Sequence, residues 1–170
     1  MPSAGFPYGP VPRGGQVWLE GAAPALLIVH ALAGIALLGS TTHNAVLLVG
    51  YLRGRFGRVK LEKLYVRIQL AAYLATFLLG SVIYPAYRIY VRAAVFDRHA
   101  VWASNLFDIK ENLAAMGLPL VVAFALLSRT IAPRRGEPWM PVYTVMGLSL
   151  AALVWIVFLA GLVVVSERGL

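Results

Sequence analysis

The stretch GAAPALLIVHALAGIALLGSTTHNAVLLVGYL, residues 21–52, contains no Asp, Glu, Lys or Arg. About 20 apolar residues, rising 1.5 Å each as an α-helix, cross the hydrocarbon core of a bilayer. This run is long enough and reads as a transmembrane helix. Pro24 falls in its first turn, where a missing N–H costs nothing. Arg53, Arg55 and Arg58 end it at a polar boundary.

Three further runs follow. The second covers 64–94, apolar to Tyr84 and wetter beyond. The third covers 105–129, with Asn105 and Asp108 spaced as a capping box and a kink expected at Pro119. The fourth covers 141–165, behind the Pro- and Arg-rich loop 132–138. None alternates with period two, which argues against a membrane β-barrel. The expected fold is all-α: an integral membrane four-helix transmembrane bundle over 21–170, behind a flexible Gly- and Pro-rich tail over 1–20.

Composition agrees. Hydrophobic residues make up 60% of the chain and charged residues 13%, against about 45–50% and about 25% in soluble domains. Mean hydropathy is +0.77. The net charge of +8 does not read as nucleic-acid binding, because the bases punctuate apolar runs instead of forming a stripe on a soluble face. Arg53, Arg55, Arg58, Lys60, Lys63, Arg67, Arg129, Arg134 and Arg135 fall on one side of the membrane. Arg13, Arg88, Arg92, Arg98, Lys110 and Arg168 fall on the other. The excess on the first side predicts that both termini lie outside the cytoplasm of an inner (plasma) membrane. The chain has no cysteine, which excludes disulfides, iron–sulfur ligation and thiol catalysis.

His30 and His43 lie inside the first run, with Ser40, Thr41, Thr42 and Asn44 around the second. Ionisable groups at such depth are costly and mark functional sites. Their separation of 13 residues corresponds to about 20 Å of depth. Gly34 follows His30 by four residues, and Gly39 precedes His43 by four. The arrangement resembles membrane b-type cytochromes, in which one helix carries two axial histidines with glycines nearby. That resemblance implies haem b, with His30 and His43 as iron ligands. Met116 and Met146 stand at matching depths and could each supply a second ligand. A spacing of 13 turns the two histidines about 140° apart on a straight helix, so a shared core would require irregular winding such as a π-bulge. The only other histidine, His99, falls in a loop, so one copy cannot hold two bis-histidine haems. The alternative is that both imidazoles hydrogen-bond to neighbouring helices.

A second constellation gathers Tyr84, Tyr87, Arg88 and Arg92 at the end of the second run and Asp108 and Glu111 at the start of the third. Antiparallel packing would bring the arginines to the acids, either as a structural ion-pair network or as a pocket for haem propionates or a quinone head group. No phosphate-binding Gly-rich loop, H-E-x-x-H or G-x-S-x-G occurs. Any catalysis, such as that of an oxidoreductase subunit, would belong to the bundle or to a partner.

These residues point to three functions. The first is a haem-binding subunit of an electron-transfer or respiratory assembly. The second is a non-redox structural or assembly subunit. The third is a small proton- or ion-coupled transporter that uses Glu111, Asp108 and His43. The expected partners are the lipid bilayer and other membrane subunits or further copies of the chain.

Overall fold

A computed structural model of the chain describes residues 20–168. The tail expected over 1–20 lies, apart from its last residue, outside them. Four long helices account for most of the described chain: α1 (Ala23–Leu52), α2 (Val59–Tyr87), α3 (Val101–Thr130) and α4 (Met140–Arg168). All four are long and apolar enough to cross a membrane.

Their packing order follows from side-chain pairs. Asn44 of α1 meets Gln69 of α2, and His30 meets Gly80, so α1 and α2 run antiparallel. Lys63 with Ser128 and Tyr73 with Ala114 set α2 against α3. Lys110 beside Gly161 and Phe124 beside Tyr143 set α3 against α4. Trp155 with Thr42 and Gly147 with Leu48 close the ring from α4 to α1. The result is an up-down-up-down bundle in which each helix flanks the next. Its two ends are the basic end, with loops 53–58 and 131–139, and the terminal end.

Solvent preference is inverted relative to a soluble bundle. Within the most apolar window of each helix, only 11–28% of residues are buried inside the protein. Leu27, Ile28, Leu32, Ile35, Val46, Val145 and Ile156 all lie exposed on the outer surface. Ser40, Thr41, Asn44, Glu62, Gln69, Ser128 and Thr144 are buried. A bilayer solvates the first set and cannot hydrogen-bond the second. The chain is a multi-pass helical membrane protein.

Three boundaries differ from the sequence reading. Helix α2 begins at Val59 instead of residue 64, because Glu62 and Lys63 find partners inside the bundle. Helix α3 begins at Val101, with Ala100 at its N-cap and no side-chain cap. The box expected at Asn105 and Asp108 does not form; Asp108 takes Arg92 instead. Finally, α2 gives way to a π-helical segment, Arg88–Phe96, followed by the short turn Asp97–His99. Pro85 cannot donate to the carbonyl four residues before it, and the rewinding follows one turn later. The irregular winding that a shared histidine core would require is absent: α1 is continuous α-helix.

Gly54 turns the chain between α1 and α2 at φ +72° and supplies the left-handed residue that ends the first helix. Gly147 has a different role. A Cβ there would collide with Leu48 of α1 and lie 2.8 Å from Phe124 of α3. A Cβ on Gly34, by contrast, would meet nothing within 4 Å. Gly147→Ala should therefore cost about 1–3 kcal/mol through overpacking. Gly34→Ala should be neutral or stabilising by about 0.5–1 kcal/mol, since glycine is a poor helix former. Thermal unfolding of the two variants in detergent checks the opposite signs.

Candidate functional site: a polar axis through the bundle

The basic end holds a carboxyl sealed from solvent. Glu62 is fully buried and accepts a hydrogen bond from the Tyr143 hydroxyl. Its second oxygen, Oε2, has no partner, and neither has the nearby buried Tyr51 hydroxyl. Lys63 reaches across to α3, where its Nζ donates to the Ser128 carbonyl and, at 2.9 Å, to that of Ile131. A cation on the last carbonyls of a helix satisfies orphan acceptors and opposes the negative end of the dipole. The same Nζ lies 5.4 Å from the Tyr143 ring centroid. Burying a carboxylate is expensive unless it is paired and hydrogen-bonded, and this one is only half satisfied.

Along the axis from Glu62, Leu48 and Phe124 close around Gly147 as an apolar collar, with Val66 in the same buried cluster. Beyond it Gln69 spans the interface. Its Nε2 donates to the Ser40 carbonyl at 3.1 Å, and its Oε1 accepts from Asn44 Nδ2 at 3.5 Å. Asn44 Oδ1 is buried without a partner. Further on, the Tyr73 hydroxyl donates to the Ala114 carbonyl at 2.6 Å, beside Gly117, where any Cβ would strike it.

Next comes His30. Its ring lies over Gly80, with Cε1 3.3 Å from where a Cβ would sit, and its Nδ1 is buried without a partner. Lys110 of α3 acts on it electrostatically. Lys110 in turn pairs with Glu111 at 3.7 Å and lies over the Phe107 ring. The terminal end closes with Arg92. Its guanidinium grips Asp108 with two hydrogen bonds, of 2.6 and 2.8 Å, and approaches Asp97 at 3.7 Å. Asp108 holds Arg92 charged above even its usual range.

His43 is exposed on the outer surface and stacked on Tyr65 at 5.6 Å. Its Nδ1 bonds the Gly39 carbonyl at 2.7 Å. Met116 is 67% exposed on the lipid side, while Met146 packs against the core. Arg88 is exposed and does not join Asp108 or Glu111. Tyr87 stacks on Phe107 at 4.1 Å, with Tyr84 6.3 Å from the same ring. Phe107 thus takes the space that a planar ligand between these tyrosines would need. Of the expected ligand pairs, His30 with Met116 and His43 with Met146, each has one member on the outer surface, so the residues present do not fit a haem enclosed within a single copy. Among the described residues no cluster of three or more His, Asp or Glu could hold a metal ion.

Glu62 escapes the sequence reading because the basic stretch around it reads as a loop. A signal for it exists: Glu62, Val66, Gln69 and Tyr73 recur at helical spacing, extending backwards the face that carries Thr76 and Gly80. Comparison with known protein families, curated proteins and solved structures finds no match for this chain.

Tyr143→Phe leaves the Glu62 carboxyl buried without its donor and should cost about 1–3 kcal/mol. Tyr51→Phe removes a hydroxyl that has no partner and should cost less than Tyr143→Phe. Unfolding of both variants in one detergent gives the comparison.

Proposed function

We propose that the chain is a small membrane transport protein that conducts protons along the polar axis of its bundle. The observation that carries this reading is Glu62, a carboxyl with no exposure and one unpartnered oxygen inside a lipid-embedded bundle. Intramembrane ionisable groups are retained against a large desolvation cost mainly where protons or ions pass. From Glu62, titratable and hydroxyl groups follow at Tyr143, Tyr73, His30, Lys110 and Glu111. The amides of Asn44 and Gln69 fill the middle. Gly80 lies 18 residues beyond Glu62 on α2, about 27 Å along the axis, so the groups span most of the hydrocarbon core. The collar at Leu48 and Phe124 interrupts the series, which makes it a gated path and not an open pore. Placing the basic end in the cytoplasm, as the Lys/Arg excess favours, puts Glu62 at the cytoplasmic mouth.

The test is proton uptake into vesicles loaded with a pH-sensitive dye, driven by a potassium diffusion potential. Wild-type vesicles should acidify faster than empty ones, and Glu62→Gln and Glu111→Gln should each return the rate to that of empty vesicles. Wild-type vesicles as proton-tight as empty ones, or full flux in Glu62→Gln, would overturn the reading.

One observation favours a second reading, a haem b subunit of an electron-transfer assembly. His43 gives its Nδ1 proton to the Gly39 carbonyl, which fixes the tautomer and leaves Nε2 free toward the outer surface. Metal-ligating histidines are commonly oriented this way. The iron would then sit against the outside of the bundle, with its other axial ligand from a partner chain or a second copy. Purification should then yield a sharp Soret band that is lost in His43→Ala. A colourless, iron-free preparation of the assembled complex counts against it.

A further inference from the structure

A groove of about 460 Å³ opens on the seam between α1 and α4 at the basic end. Ala45, Val46 and Val49 form one wall, and Leu148, Ala151 and Ala152 form the other. Its deep end is closed by Trp155, whose indole N–H donates to Thr42 Oγ1 at 3.0 Å. Its shallow end is lined by Arg53 and Arg55. Arg135 joins them, with a guanidinium nitrogen 3.5 Å from where a Gly54 Cβ would sit. Among the described residues, none of these three arginines forms an ion pair.

We propose that this groove binds one anionic phospholipid, with its phosphate on Arg53 and Arg55 and an acyl chain running down to Trp155. Three features select this occupant. Thr42 and Arg53 are 11 residues apart, which makes the groove about 16 Å deep. That matches one leaflet, about half of the roughly 30 Å hydrocarbon core. The walls carry no charge below Arg53, as a hydrocarbon chain requires. The mouth concentrates unpaired cations at the bilayer surface, where basic pockets between transmembrane helices hold anionic head groups. A helix from a second copy would instead have to lay its own polar surface against the arginines.

The experiment uses the full chain in vesicles of phosphatidylcholine doped with phosphatidylglycerol or extra phosphatidylcholine, the dopant brominated near the end of its acyl chain. The Trp155 contribution to fluorescence is the difference between wild type and Trp155→Phe. Brominated phosphatidylglycerol should quench that contribution at about one-tenth or less of the dopant fraction that brominated phosphatidylcholine needs. Arg53→Gln/Arg55→Gln, confined to exposed side chains, should bring the two lipids to parity. Ala152→Phe, which fills the groove, should likewise abolish the preference for brominated phosphatidylglycerol. The proposal is overturned by equal quenching in wild type, by a preference that survives the double substitution, or by a groove that light scattering and cross-linking through Ala152→Cys show to be filled by a second copy.

Discussion

A hydrocarbon solvent offers no hydrogen bonds, and the arrangement of this molecule follows from that one constraint. Most polar side chains within the spans find a partner on another helix or on their own backbone, and the few orphaned atoms, such as Glu62 Oε2, stand out against them. Ser40, Thr41, Thr42, Thr76 and Thr144 solve the problem locally by donating to carbonyls three or four residues back. Gln69, Tyr73, Lys63 and Tyr143 solve it across helix interfaces. These interhelical bonds set the register of α2 against α1, α3 and α4. The apolar contacts could tolerate a small slide along the axis, whereas a directed bond between Tyr73 and the Ala114 carbonyl cannot.

Much of the fold was legible because bilayer thickness imposes a length, and length survives in any sequence. The four runs, the loop between the last two and the placement of Pro24 could be read from residues alone. Helix ends were harder, since they depend on tertiary partners. Val59 through Lys63 looks like a charged linker until Tyr143 and the carbonyls of Ser128 and Ile131 are present to receive Glu62 and Lys63. The pairing of Arg92 with Asp108 was foreseeable from charge and antiparallel order. Which arginine would pair was not, because the π-helical winding after Pro85 changes the direction in which Arg88 and Arg92 project.

The histidines show the limit of periodicity. A 13-residue spacing on a regular helix sends the two rings to different faces, and α1 is regular. His30 turns toward Gly80 of α2, while His43 turns outward onto Tyr65. Depth matched each histidine to a methionine, but depth leaves out the angle around the bundle. Met116 therefore faces the bilayer. The two imidazoles belong to different environments and carry separate arguments about function, one on the axis and one on the rim.

The collar and the groove share a seam. Gly147 on α4 admits Leu48 of α1 and Phe124 of α3. One turn away, on the lipid side of the same helices, Ala151, Ala152, Ala45 and Val49 line the groove. Small residues thus thin both sides of the α1–α4 interface at one depth. On the proposed function, opening the collar would require Leu48 to leave the space over Gly147 by a small separation or rotation of α1 against α4. An acyl chain lodged in the groove would brace these helices from outside, and a head group on Arg53 and Arg55 would fix the last turn of α1, where Tyr51 lies beside Glu62. If the axis conducts protons and the groove holds a lipid, as proposed, the lipid composition of the bilayer would bear on how readily the buried carboxyl meets the rest of the axis.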